Sequence, residues 1–268
     1  MNKTDIIRAS ENNRVAFTQT LQNEKYELRG VFNSEALVLI SIINELKTPL
    51  FVESGRARGH STNLVAKHFS QSQLKIVSID YEKNEDTAFS ESYLSKYPIE
   101  FVYGDANKVI TQHITDDCTI FIDGPKGDDA LMLAAVLLKN KKVKAVLVHD
   151  LHKNTFHRNV AENIFGNYFF SDDADFVERF KDLDTNCWIE MEGTGDAPYV
   201  RHGTPISSYA STMGVFFNSD KPLVQPAYAN YLKYLEQNKP TFKNAFIATV
   251  PHDSWLYKMV FFIHKKLR

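Results

Sequence analysis

Apolar and polar positions along this chain alternate in two rhythms between residues 50 and 148. Short apolar runs at 51–52, 75–80, 99–103, 118–123 and 143–148 read as strands. Segments with helical spacing separate them, at 62–69, 86–95, 106–113 and 128–138. A helix over 34–46 precedes the first strand, with Ala36, Leu37, Leu39, Ile40, Ile43 and Leu46 at helical spacing. Thr48-Pro49 ends it. Strands that alternate with helices predict a parallel sheet with right-handed crossovers. Apolar runs without alternation suit strands covered on both faces.

After Asp150 the rhythm changes. Helices are expected at 157–165 and 175–183, and two closing strands at 186–191 and 212–217. Between those strands Gly193, Gly195, Pro198, Gly203 and Pro205 mark a long loop. Loops of this length in compact domains are often functional. Residues 1–30 are polar and weakly patterned, and read as an arm or one or two short helices. The tail holds two further helical patterns, 228–237 and 254–267. In the second, Trp255, Leu256, Met259, Val260, Phe262, Ile263 and Leu267 share one face. That face fits docking on the domain, with a membrane-surface helix or a homo-oligomer contact as alternatives. The expected division is an N-terminal arm (1–33), a core domain (34–218) and a C-terminal helical extension (219–268).

The candidate chemistry sits where strands end, since ligands of open α/β sheets bind at the carboxyl ends of strands. An acid stands at or just past each such end: Glu53, Asp80, Asp105, Asp123 and Asp150. The first strand runs into Glu53-Ser54-Gly55-Arg56-Ala57-Arg58-Gly59-His60-Ser61-Thr62 and then a helix. A strand, glycine turn and helix N-terminus present backbone N–H groups and a positive dipole end to a ligand. Ser61 or Thr62 can cap that helix. The loop lacks the Gly-x-Gly-x-x-Gly of a dinucleotide fingerprint, and the chain lacks the Gly-Lys-Ser/Thr of a phosphate loop. Asp80 lies about twenty residues past Gly59, the spacing of a ribose-binding acid. Arg56 and Arg58 suit either an anionic substrate or pairing with nearby acids. His149, His152 and His157 surround Asp150 and offer general bases, or serve as surface and capping residues.

The ordered set of first loop, Asp80, Gly104-Asp105, Asp123 and Asp150 resembles the class I S-adenosylmethionine-dependent methyltransferases, over roughly residues 34–217. Their first motif is Glu/Asp-x-Gly-x-Gly-x-Gly, and here Ala57 stands for the middle glycine. The loop looks most like the small-molecule O-methyltransferase branch. The resemblance implies a Rossmann-like, doubly wound, mostly parallel seven-stranded sheet with an antiparallel edge pair. It implies a cofactor site of Glu53, Gly55, Ala57, Gly59, Ser61, Asp80, Tyr81, Gly104, Asp105 and Asp123. Within that site Glu53 would lie near the methionine amino group, Asp80 on the ribose, and Tyr81 and Asp105 at the adenine. It also implies an acid over the reacting centre at Asp123, with a second at Asp150, as ligands for a divalent ion such as magnesium. Lys126, three residues past Asp123, matches the catalytic base of the catechol enzymes; His149 and His152 are the other candidate bases. The chain departs from the family at Leu151, where Asn or Asp usually supplies the next metal ligand. The expected activity is methyl transfer to the hydroxyl of a small polar acceptor, a sugar or a phenol. An NAD-dependent oxidoreductase and a catalytically inactive binding module are the rival readings.

Composition narrows the setting. The chain has 268 residues, which fits one α/β core with extensions. Net charge is -2, giving no general case for nucleic acid. The two cysteines, Cys118 and Cys187, suggest no disulfide framework, so a cytoplasmic setting is expected. The opening residues carry no long apolar core of a leader, and no apolar run reaches the ~18 residues of a membrane span.

Overall fold

The computed structural model describes residues 1–27, 30–153, 155–192 and 213–218. One seven-stranded sheet forms the centre, in the order β3-β2-β1-β4-β5-β7-β6. Strands β1 (Leu50–Ser54), β2 (Lys75–Asp80), β3 (Ile99–Tyr103), β4 (Cys118–Ile122) and β5 (Val143–Val148) run parallel. Strand β7 (Gly214–Phe217) lies antiparallel to both β5 and β6 (Tyr168–Phe170). All of β1 and β4 is buried, as apolar runs without alternation predict for inner strands.

The strand order reverses between β1 and β4. Ser54 pairs with Ile79 on one side and Ile122 on the other. That switch point opens a crevice at the carboxyl ends of the strands, where the chain can diverge into two loops.

Nine α-helices accompany the sheet among the described residues. Helix α2 (Asn33–Leu46) packs its apolar residues into the main core, together with Phe51, Phe121 and Leu147. The N-terminal segment is one helix, α1 (Lys3–Leu21), rather than an arm or short helices. Asn2 and Asp5 form its capping box, which the polar composition concealed. Ile6, Ile7 and Phe17 of α1 join the main core. No helix among the described residues is long and apolar enough to cross a membrane.

The strand expected at 186–191 is instead helix α9 (Thr185–Glu192). A three-residue apolar run, Cys187-Trp188-Ile189, does not by itself separate the two forms. Just before α9, the buried Asp184 accepts hydrogen bonds from the Ser34 backbone N–H (2.8 Å) and hydroxyl (2.7 Å). Cys187 and Trp188 then pack with Tyr26 and Phe32. The partner of β7 is β6, only three residues long. Helix α7 (Phe156–Ile164) lies as expected within a residue, and α8 (Ala174–Phe180) ends in a 3-10 turn. The long loop and both tail helices expected from the pattern lie outside the described residues.

Candidate active site

Loop 55–59 leaves β1 at the switch point and leads into helix α3 (His60–His68). Gly55 has φ +89°, and a Cβ there would lie 2.4 Å from the Gly124 nitrogen. Only glycine lets the turn after β4 approach this closely. The Ser54 hydroxyl donates to the Gly124 carbonyl across the same contact. Ala57 adopts φ +46°, the left-handed conformation that glycine usually supplies. Its N–H donates to Asp80 Oδ2 (2.9 Å), while the Tyr81 N–H donates to Oδ1 (2.7 Å). Asp80 is thereby aimed by two backbone groups and keeps lone pairs on both oxygens.

Two cavities flank this loop. One, of about 360 Å³, is lined by Ser54, Gly55, Asp80, Tyr81, Gly104 and Asp105, among others. Tyr81 is 72% exposed at its edge. Asp105 caps α5 (Ala106–Val109), accepting from the Asn107 backbone N–H (3.1 Å) and side-chain amide (3.2 Å). The other cavity, of about 370 Å³, is lined by Glu27, Arg58, Gly59, His60, Ser61 and Asp123, among others. The loop and the turn at 123–125 contribute to both cavities.

Glu53 lines neither cavity. It is fully buried, and its oxygens accept from the hydroxyls of Ser61, Thr62 and Ser78. Burial pushes its carboxyl up against the pull of those three hydrogen bonds. Its evident work is to tie β1 and β2 to the first turn of α3. Arg56 is likewise committed inside the protein. It donates to Ser90 (2.9 Å), the Ser78 carbonyl (2.9 Å) and the Tyr103 hydroxyl (3.1 Å), and lies over the Phe101 ring. Arg58 pairs with Glu27 (2.5 Å) and Asp86 (3.2 Å) and stacks on Phe89.

Past the ends of β4 and β5 the charged residues converge. Asp123 Oδ1 accepts from Lys126 Nζ and from His149 Nδ1 (2.8 Å). Lys126 Nζ also reaches Asp150 Oδ2 at 2.7 Å. Asp150 holds a left-handed φ of +63°, which aspartate tolerates better than most residues. His152 Nε2 stands 3.7 Å from Asp150 Oδ1. His157 is not part of this group; it pairs with Asp128 (2.9 Å).

His149 is clamped on both sides. Its Nε2 faces Glu35 Oε2 at 3.2 Å, and Glu35 is fully buried. Burial alone would lower the imidazole, but the Glu35 and Asp123 carboxylates raise it well above its ordinary value. Burial would likewise raise Asp123; His149 and then Lys126 hold its carboxyl well below the usual range. Lys126 keeps half of its side chain exposed; partial desolvation lowers it, and Asp123 and Asp150 outweigh this and raise it. His149 and Lys126 therefore both carry protons at neutral pH.

Glu35 escapes a reading of strand ends because it lies at the start of α2, far from any sheet-end motif. The available signal was an acid in the first turn of an otherwise apolar helix. Its Oε2 also accepts the Phe32 N–H (3.0 Å), so it caps the helix and holds His149 together.

Asp123, His149 and Asp150 place one candidate metal-ligand atom each within 4.8 Å of one another. The residue that follows Asp150, Leu151, is buried hydrocarbon.

No protein-family model matches the chain, and no curated protein matches it. Similar solved structures include the O-methyltransferase TomG from Streptomyces achromogenes, involved in tomaymycin synthesis and in complex with SAM. It is 16% identical with a TM-score of 0.43, over 82% of this chain and 92% of that one. The SAH-bound methyltransferase PaMTH1 of Podospora anserina is 14% identical with a TM-score of 0.42, over 77% and 87%. The O-methyltransferase from Bacillus cereus in complex with SAH is 17% identical with a TM-score of 0.41, over 68% and 79%. Likeness this distant carries no argument about activity. The chain's own sheet order, with five parallel strands closed by an antiparallel pair, is that of the Rossmann-like methyltransferase fold.

Proposed function

We propose that the protein is an S-adenosylmethionine-dependent methyltransferase acting on a hydroxyl of a small polar acceptor, a sugar or a phenol. One observation carries the reading. Two cavities share the loop after β1 at the switch point, and Asp80 is aimed by two backbone N–H groups beside the first of them. An elongated ligand with a ribose in the middle fits that arrangement. Asp80 would accept from both ribose hydroxyls. Tyr81, Gly104 and Asp105 would flank the base. Gly59 and Ser61, at the start of α3, would face the amino-acid end, where helix N–H groups favour a carboxylate. Glu53 supports this reading indirectly, by fixing the turn that carries Ser61.

The cofactor supplies an electrophilic methyl group on a sulfonium. Transfer makes an oxygen–carbon bond and breaks the carbon–sulfur bond, whose electron pair stays on sulfur. The hydroxyl proton needs an acceptor. His149 is unsuited, since both ring nitrogens already face carboxylates. Lys126 is protonated and bridges two acids. His152, beside Asp150, is the base in this reading, and Lys126 steadies the developing charge on oxygen.

Methyl transfer from labelled S-adenosylmethionine to a panel of sugars and phenols tests it. His152→Ala should reduce turnover about 10²- to 10⁴-fold while cofactor affinity holds. Wild-type cofactor binding without turnover on any acceptor would favour a silent binding module instead.

A further inference from the structure

The cluster past β4 and β5 pairs two acids at the ends of neighbouring strands, an arrangement that suits a divalent cation. The residues around it do not fit one. We propose that Lys126 occupies the cation position of this centre, so that the acceptor end works without a divalent metal. The inference rests on the methyltransferase reading only for what the centre does, not for what fills it.

Two observations carry it. First, Lys126 is the N-cap residue of α6 (Gly127–Leu137), three residues past Asp123. Its ammonium is held between Asp123 and Asp150 Oδ2, where a cation bridging the two acids would sit. Second, the next side chain, Leu151, is 1% exposed and offers no donor. Magnesium keeps several oxygen ligands, and this pocket supplies two acids whose oxygens are already shared with cations.

A flexible ammonium has three donors, so it can hold both acids and still donate to an acceptor oxygen.

Manganese provides a probe that needs no turnover. Wild-type protein titrated with Mn²⁺ and followed by electron paramagnetic resonance should leave the free-ion signal undiminished. Saturable binding of one Mn²⁺ per chain that Asp150→Asn abolishes would overturn the proposal. Lys126→Met then tests the stand-in itself. It leaves the two acids facing each other, so its Tm at low salt should fall. Mn²⁺ should restore about 2–4 °C to the variant and nothing to the wild type. A variant whose Tm ignores Mn²⁺ would also overturn it. Calorimetry with S-adenosylhomocysteine on the same wild-type sample keeps the two ideas apart. Failure to bind that ligand sinks the methyltransferase reading and leaves the metal result to be judged alone.

Discussion

His60 shows how one residue can set an acid limit. It opens α3, is 7% exposed, and its Nε2 has no hydrogen-bond partner. Burial pushes its pKa down to about 4. The sign follows from linkage. The unfolded imidazole takes a proton below its ordinary value of about 6.5, while the folded one resists until near 4, so stability falls as pH drops through that window. The loss amounts to about 3 kcal/mol once the pH lies below that window. His60→Phe removes the titrating group and the orphaned nitrogen. Its thermal melts between about pH 6.5 and 4 should flatten relative to wild type. An unchanged slope would show that other groups set the acid limit.

The same scale shows what single positions disclose from sequence. Asp80 was legible because its spacing from the glycine loop is fixed by strand and helix lengths, and its carboxylate does lie against that loop. Arg56 was open to either reading. The structure turns it inward onto Ser90, the Ser78 carbonyl and Tyr103, because the loop bends back over β2 and β3. Glu35 showed only as an acid in the first turn of α2, and its role was hidden because its partner His149 lies 114 positions along the chain. Pairing across that distance exists only once α2 is packed on the sheet.

At the scale of elements, the loop after β1 depends on the turn after β4. Gly55→Ala would set a Cβ 2.4 Å from the Gly124 nitrogen, at a φ that L residues rarely adopt. The combined overpacking and backbone strain should cost about 3 kcal/mol or more. Chemical denaturation should show it as a lower midpoint with an unchanged slope. Helix α1 makes a second case. Phe17 is fully buried in the main core, so Phe17→Ala should cost about 3–5 kcal/mol by the same measurement. A loss below about 1 kcal/mol would mean that α1 contributes little to the core.

Elements were legible in proportion to how their surroundings imprint on the pattern. Strands β1, β2, β4 and β5 are largely buried and read as apolar runs, while the edge strand β3 is only partly buried; their parallel pairing followed from the alternation with helices. Helix α9 stands where a strand is expected, and strand β6 falls in a stretch for which the pattern gives no element. Tyr168–Phe170 is too short to show a period, and Cys187-Trp188-Ile189 is apolar without alternating. What decided the second segment is tertiary: the Ser34 contacts to Asp184 and the packing of Trp188 on Phe32.

For the whole molecule, the account turns on whether the crevice at the switch point holds the proposed cofactor. The sheet order places Glu53, Asp80, Asp105, Asp123 and Asp150 along one edge, but their fates differ. Glu53 is sealed in, Asp123 and Asp150 are bridged by Lys126, and Asp80 faces a cavity. Isothermal titration calorimetry with S-adenosylhomocysteine tests the central claim most directly. The account predicts one site per chain in the wild type. Asp80→Ala, which removes about 1.5–3 kcal/mol of hydrogen bonding to a charged group, should weaken binding roughly ten- to hundred-fold. No heat of binding from folded wild-type protein, or equal affinity in the Asp80→Ala variant, would contradict it.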